Sequence, residues 1–376
     1  MRVLGRGLAP LRIVAGLTMA ATLTACLSDS GERAERDRTI GRGRSDGFEV
    51  SVDGGLAHVR AIDTSSLQLW SQAPVVAFEL SSTSTTALGL TLQNIMPGSV
   101  LDVRDAAGAP VTVAPATWLR PTAARWQVPL ATGERLRVTV APPDAAAPGP
   151  YRFAVLSDVQ EALSRVGDIY RRMNGDPSLR FVFNAGDLTD DGSAEELLEF
   201  QTRLEELTIP FYGTVGNHEL ITPSVPWFGI FGRANLHWTF KGVHFTLVDS
   251  GSAEIANQVY RWLDGWMAEG RDAVHIFGTH IPPIDPVGVR GGGFNDRNEG
   301  AALIAKLARA KVDLAIYGHI HSYYAYTNAG VPTYISGGGG AIPERFDGIG
   351  RHYLTVNVHP MAGVREVALV RVGPPN

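Results

Sequence analysis

The sequence has a single cysteine, Cys26, among 376 residues. One cysteine excludes an internal disulfide, so stability must come from apolar cores and any bound metal. Lysine is also scarce, because three of the 33 basic residues are lysine and the rest are arginine. Since the formal net charge is −5 and no basic run is present, we expect no nucleic-acid partner.

The N-terminus lacks an apolar run long enough for a membrane-spanning helix. Residues 13–24 are apolar and follow Arg2, Arg6 and Arg12, which is typical of a signal peptide. The segment ends at Cys26 in a sequence that resembles a bacterial lipobox, which implies cleavage after residue 25 and a lipid on Cys26. We therefore expect a lipid-anchored protein of the cell envelope, on the periplasmic side of the outer membrane. The alternative is an ordinary signal peptide cleaved beside an unmodified cysteine.

Composition divides the remaining chain into three parts. Residues 26–46 are polar and rich in Arg, Gly and Ser, which predicts a flexible tether. Short alternating runs separated by turn residues predict a small all-β domain, similar to a β-sandwich, over 47–141. After a Pro- and Ala-rich linker, apolar runs alternate with helical stretches across 151–376. This pattern predicts an α/β domain with a mixed sheet covered by helices.

Several elements of the second domain have local signals. Ser193 is placed to cap a helix that continues to Leu207. Helices are also expected near 257–268 and 299–309, and a hairpin turn is expected at Lys241-Gly242.

Five apolar runs of this domain lead directly into polar segments. The segments are Ser157-Asp158-Val159-Gln160, Gly186-Asp187-Leu188-Thr189-Asp190, Gly216-Asn217-His218-Glu219, Thr279-His280 and Gly318-His319-Ile320-His321. Loops at the carboxyl ends of neighbouring parallel strands converge on one crevice, so these side chains should meet. Carboxylate, amide and imidazole donors without thiolate suit Mn, Fe, Zn or Mg. Each segment alone is uninformative, and the hypothesis of a metal site depends on all five together.

The order of these segments resembles the calcineurin-like metallophosphoesterases, across about 151–345. The resemblance implies a metallophosphoesterase-type mixed β-sheet sandwich flanked by helices, with two metal ions and a phosphate-ester substrate. One ion would be bound by Asp158, Gln160, Asp187 and His321, and the second by Asp187, Asn217, His280 and His319. Two such ions lower the pKa of a shared water, which then attacks phosphorus. His218 would protonate the leaving group, and Asp190 would orient that imidazole.

The sequence departs from family patterns at two positions. Gln160 stands where many members have His, and it is either a weak ligand or only a hydrogen-bonding group. Asp191 replaces the Arg of the protein Ser/Thr phosphatase motif, which argues against that branch. The chain also resembles purple acid phosphatases in its β-rich N-terminal region, although Asp190 stands where those enzymes need a Tyr iron ligand.

Two loops are candidates for substrate contacts. The segment 223–236 carries Trp227, Phe228 and Phe231, and the segment 282–299 carries Arg290 and Arg297 beside three glycines. The two arginines are either clamps for phosphate oxygens or solvated charges.

The leading hypothesis is a dinuclear metal-dependent hydrolase of phosphate mono- or diesters in the cell envelope. The second is a non-catalytic envelope lipoprotein that binds metal or phosphate and has a degenerate first metal site. His218 and Asp190 argue against it, because a binding module needs no leaving-group acid. A nucleic-acid phosphodiesterase is a third hypothesis, which the charge disfavours.

Overall fold

The computed structural model describes residues 28–84, 86–288, 291–343 and 348–373. The predicted signal peptide and Cys26 lie outside the described residues. Within the described part, no helix is both long enough and apolar enough to cross a membrane.

The N-terminal part, as far as its residues are described, contains one α-helix and two five-stranded sheets. Its elements are α1 (Ser30–Asp37), β1 (Arg42–Arg44), β2 (Phe48–Val52), β3 (Ala57–Ile62), β4 (Ser66–Ser71), β5 (Val76–Ser82), β6 (Thr86–Gln93), β7 (Val100–Asp105), β8 (Thr117–Arg120), β9 (Ala123–Leu130) and β10 (Arg135–Ala141). The strand orders are β1-β2-β5-β10-β7 and β3-β4-β6-β9-β8.

The two N-terminal sheets share one apolar core. Phe78 and Val138 from the first sheet pack with Leu90 and Val128 from the second, and all four are buried. Buried and exposed residues alternate along β2, β9 and β10, as a strand with one buried face requires. The predicted β-rich character of this region is therefore seen in the structure.

The C-terminal part contains two further sheets and five helices among the described residues. Its elements are β11 (Tyr151–Leu156), α2 (Gly167–Asn174), β12 (Leu179–Asn184), α3 (Ala194–Arg203), β13 (Phe211–Gly213), α4 (Trp227–Ile230), β14 (Leu236–Phe240), β15 (Val243–Val248), α5 (Asn257–Glu269), β16 (Val274–Thr279), α6 (Arg297–Arg309), β17 (Leu314–Tyr317), β18 (Tyr323–Asn328), β19 (Val331–Ser336), β20 (His352–His359) and β21 (Gly363–Arg371). The sheets have the orders β13-β12-β11-β20-β21 and β14-β15-β16-β17-β19-β18.

These two sheets are mixed and pack face to face between layers of helices. The parallel strands are β11, β12 and β13 in one sheet and β15, β16, β17 and β19 in the other. Phe153 and Phe181 from the first sheet meet Phe245 from the second in the core between them. Helices α2 and α3 cover one outer face, and α5 and α6 cover the other. The expected α/β sandwich is confirmed.

Local signals located several elements correctly. The Ser193 side chain accepts from the Glu196 amide and caps α3, which ends at Arg203 and is followed by a short 3-10 turn. Lys241 and Gly242 both have positive φ and form the two-residue turn between β14 and β15.

The tether prediction for 26–46 needs correction over its described part. Residues 30–37 form α1, and its Arg33 is fully buried. The Arg33 guanidinium donates to Asp249 through two nitrogens, at 2.6 and 3.1 Å. Asp37 accepts from the Ala234 and Asn235 amides at 2.7 and 3.0 Å. Polar composition predicted disorder because it does not reveal that these charges have buried partners about 200 residues away.

Candidate metal centre

The five polar segments follow five parallel strands at the same end of the two sheets. Asp158 follows β11, Asp187 follows β12 and Asn217 follows β13, whereas His280 and His319 follow β16 and β17 of the other sheet. The site therefore lies where the carboxyl ends of both sheets meet, as the strand-end argument predicts.

One group of possible metal ligands consists of Asp158, Asp187 and His321. One ligand atom from each residue lies within 4.8 Å of the other two, and all three side chains are buried. The His321 Nε2 is 3.4 Å from the Asp158 Oδ1. The His321 Nδ1 is 2.7 Å from the Ile342 carbonyl, so Nδ1 carries its proton and the lone pair on Nε2 could bind a cation.

A second group consists of Asp187, His280 and His319, with the same 4.8 Å limit. The His280 Nε2 lies 3.1 Å from the Asp187 Oδ2 and 3.0 Å from the Asn217 Oδ1. The His280 Nδ1 faces the Ala185 carbonyl at 2.8 Å, which orients the ring. Asp187 belongs to both groups, so its carboxylate is placed to bridge two cations.

The electrostatic field at the centre favours positive charge. Burial opposes ionisation of Asp187, but the neighbouring His280 and His218 outweigh burial and hold the pKa of Asp187 well below its ordinary value. Burial would lower the pKa of His280, but Asp187 outweighs it and raises that pKa to about 9. The same carboxylates that favour a proton on His280 favour a metal cation in its place.

Backbone conformation at the centre is unusual. Asp158, Gln160, Asp187 and His319 have φ values of 59°, 41°, 54° and 69°. Left-handed conformations are costly for residues other than Gly and concentrate at functional sites, where surrounding structure maintains them. Four metal-competent residues thus share a conformation that directs their side chains into one pocket.

Two glycines allow the close approach of these loops. A Cβ on Gly216 would collide with the Asp187 carboxylate, and one on Gly318 would collide with Ser157 and Asp158. Glycine at these positions leaves room for the carboxylates at the end of the sheets.

Gln160 lies beside the first group of possible ligands and contacts two of its members. Its amide Nε2 is 2.7 Å from the Asp187 Oδ2 and 3.3 Å from the His321 Nε2. A half-turn of the amide exchanges nitrogen for oxygen and would direct a neutral oxygen at the same point. Both roles considered from the sequence, ligand and hydrogen-bonding group, fit this position.

Glu219 is a positioning residue whose role was not predicted from the sequence. Its buried carboxylate accepts from the amides of Gly216, Asp187, Leu188 and Thr189 at 2.7, 3.0, 2.8 and 3.2 Å. Burial, with repulsion from Asp187, raises the pKa of Glu219. The carboxylate ties together the loops that carry Asp187 and Asn217. The available signal was its place directly after Asn217-His218.

His218 lies at the edge of the centre. Its Nε2 is 4.0 Å from the Asp187 Oδ2, and its Nδ1 is 2.5 Å from the Asp190 main-chain carbonyl. The Asp190 carboxylate is farther, at 3.9 Å, and is 55% exposed. The main chain of Asp190 therefore orients the imidazole more directly than the carboxylate assigned to this task from sequence.

The residues predicted to contact substrate lie in different environments. Arg290 lies outside the described residues, and Arg297 is exposed at the first position of α6. The loop between them does approach the centre, since a Cβ on Gly292 would lie 3.1 Å from the His319 ring. The aromatic residues of 223–236 were wrongly expected to contact substrate, because they are buried in the core. They are Trp227, Phe228 and Phe231.

Comparison with known families agrees with this geometry. The family model described as calcineurin-like phosphoesterase matches residues 151–323, which include every residue of the two ligand groups. Residues 151–323 of the chain therefore match a calcineurin-like phosphoesterase domain. Such phosphoesterases use dinuclear metal centres, and two oxygen- and nitrogen-donor groups that share Asp187 fit that requirement.

Individual relatives are distant. A 3',5'-cyclic-nucleotide phosphodiesterase of Nostoc sp. is 24% identical over 156 residues, which cover 39% of this chain. The chain spans 58% of the length of that relative.

Two solved structures also resemble this chain. A purple acid phosphatase from yellow lupin seeds has a TM-score of 0.53 at 14% identity, covering 79% of this chain and 70% of its own. A dimetal phosphatase from Danio rerio has a TM-score of 0.46 at 12% identity, covering 59% of this chain and 98% of its own. The likeness to the lupin structure shows a shared fold.

Proposed function

We propose that this protein hydrolyses phosphate mono- or diesters with two metal ions. The proposal is carried by one observation, that Asp187 belongs to both ligand groups at the strand ends. Asp158, Gln160 and His321 would hold the first ion, and Asn217, His280 and His319 the second, with Asp187 shared. Two bound cations supply Lewis acidity toward phosphoryl oxygens and a water of lowered pKa.

His218 is the proposed acid for the leaving group. A carbonyl oxygen only accepts, so the 2.5 Å contact with Asp190 fixes a proton on Nδ1. The Nε2 atom is directed toward Asp187 and delivers a proton to the leaving alkoxide when the ring is in its imidazolium form.

A panel of esters tests the activity. Manganese-loaded protein is assayed with p-nitrophenyl phosphate, bis-p-nitrophenyl phosphate, 3',5'-cyclic nucleotides and an alkyl phosphate. We expect metal-dependent turnover of at least one ester, abolished by a chelator. An absence of turnover with every ester, while metal still binds, would favour the non-catalytic binder.

Leaving groups separate the role of His218 from a structural effect. His218→Ala should lower kcat for the alkyl ester about 10²–10⁴-fold. The loss should be much smaller for the nitrophenyl ester, whose leaving group needs little protonation. Equal losses for both esters, with metal content retained, would remove the acid role.

The envelope location is also proposed. It is supported by the three N-terminal arginines, the short apolar segment and the lipobox-like sequence before Cys26. Cys26→Ser should release the protein from the membrane fraction, and continued membrane association would count against a lipid anchor.

A further inference from the structure

A second pocket lies away from the metal centre, where three parts of the chain meet. Its cavity volume is about 490 Å³. The residues on which the argument depends are Arg38, Arg42, Arg233, Arg261, Trp262 and Trp266. They come from the N-terminal segment, from the loop before β14 and from helix α5.

The pocket concentrates positive charge in a chain whose net charge is negative. Four arginines line it, against two acidic residues, Asp37 and Glu269. Both Asp37 oxygens already accept hydrogen bonds from Ala234 and Asn235. The Glu269 carboxylate lies 3.4 Å from the His237 Nε2. Both acids thus have close partners other than the four arginines, although Asp37 also attracts Arg233.

Arg233 is the most buried of the four arginines that line the pocket. Its Nη1 donates to the Gly54 carbonyl, and its guanidinium carbon lies 5.3 Å from the ring centre of Trp262. Its Nε is buried and has no hydrogen-bond partner. Burial lowers the pKa of Arg233, and Asp37 only partly offsets that effect. A buried cation with an unused donor is costly unless an anion approaches.

Two of the other arginines also lack an acidic partner. Within the described ranges, no carboxylate oxygen lies within 4.0 Å of a nitrogen of Arg42, Arg233 or Arg261. Arg38 has only an exposed ion pair with Glu35 at 3.5 Å. Three guanidinium groups from separate parts of the chain are thus available to one ligand, and such groups bind phosphate oxygens well.

One wall of the pocket is aromatic. Trp262 and Trp266 have ring centres 6.1 Å apart, and Trp266 stacks on His237 at 5.5 Å. Helix packing with this stack fixes the rings before any ligand arrives. An apolar or ring-bearing group attached to the anion would contact this wall.

We propose that this pocket binds a small phosphate-bearing anion at a site distinct from the metal centre. The ligand would connect the N-terminal segment to the phosphoesterase domain through Arg42, Arg233 and Arg261. The site does not depend on hydrolysis, so it can exist whether or not the proposed activity does.

The test uses the full metal-loaded protein and equilibrium dialysis with labelled inorganic phosphate and with labelled AMP. Unlabelled adenosine serves as the uncharged competitor. The variant is Arg42→Gln/Arg261→Gln, which alters two exposed side chains and leaves Arg233 in place. The matched control is Arg271→Gln/Arg309→Gln, two exposed arginines that do not line the pocket.

We expect the wild type and the control to bind one more equivalent of labelled ligand than the pocket variant does. If the variant still binds that equivalent, its affinity should be at least about tenfold weaker. Tighter binding of AMP than of phosphate would show that Trp262 and Trp266 contact the adenosine part of the ligand. Equal binding would show that the pocket recognises only the phosphate group. Phosphate inhibition of ester hydrolysis reports the metal centre and should not change in the variant. Equal stoichiometry and affinity in variant and control, with circular dichroism showing that both are folded, would overturn the proposal.

Discussion

The two N-terminal sheets and the two sheets of the phosphoesterase domain, β11–β21, pack in the same way but differ at their strand ends. Both pairs bury an apolar core between two sheets. In the N-terminal pair, alternation along β2, β9 and β10 is regular. In the phosphoesterase pair, Asp158, Asp187 and His319 leave their strands in the left-handed conformation.

This difference indicates where the proposed chemistry would take place. The first core has no group of metal-competent side chains among the described residues. At the second site, buried carboxylates and strained backbone are maintained by the surrounding structure, including Glu219. Metal-competent side chains on backbone of unfavourable conformation are expected of functional sites.

The largest expected effect comes from the shared carboxylate. Asp187→Asn should lower kcat/KM by more than about a hundredfold, because it removes the negative charge that both groups share, and losses at a ligand exceed those of outer-sphere changes. Asp190→Asn is the matched control, since that carboxylate is exposed and its main-chain carbonyl contacts His218. Ester hydrolysis is the measurement. Similar losses in both variants would contradict the assignment of Asp187.

In the N-terminal core, a substitution should lower stability and leave activity unchanged. Phe78→Ala should lower the free energy of unfolding by about 3–5 kcal/mol, because it leaves a cavity between the two sheets. Leu119→Ala, at an exposed position of β8, should have little effect. Urea unfolding measures stability, and kcat of the folded Phe78 variant should match wild type. A large drop in kcat at full metal content would show that the two regions are coupled.

The smallest expected effect is a change in metal affinity caused by substitution of Gln160. Gln160→Ala should weaken metal affinity at the first group by about tenfold, whereas Gln160→His should strengthen it, because imidazole is the better ligand. Titration of the metal-free protein with Mn²⁺ measures both. Unchanged affinity in both variants would limit Gln160 to a hydrogen-bonding role.

Sequence alone predicted the parts of the molecule that depend on local pattern. The ends of β11, β12, β16 and β17 were predicted because an apolar run followed by Asp or His is visible within a few residues. The Ser193 cap and the Lys241-Gly242 turn were predicted for the same reason.

Long-range partners were not predictable in this way. Arg33 is buried only because Asp249, 216 residues later, accepts from it. Trp227 looked like a loop residue because its segment is short and rich in Pro and Gly, yet it packs against Phe231 in the core. The use of the Asp190 main chain in place of its carboxylate also depends on how two loops meet.

The most direct test of the account is anomalous X-ray diffraction from crystals of the Mn²⁺-loaded protein. We predict two peaks, one beside Asp158 and His321 and one beside His280 and His319, with Asp187 contacting both. A single peak, or peaks away from Asp187, would contradict the claim that this carboxylate joins two metal sites.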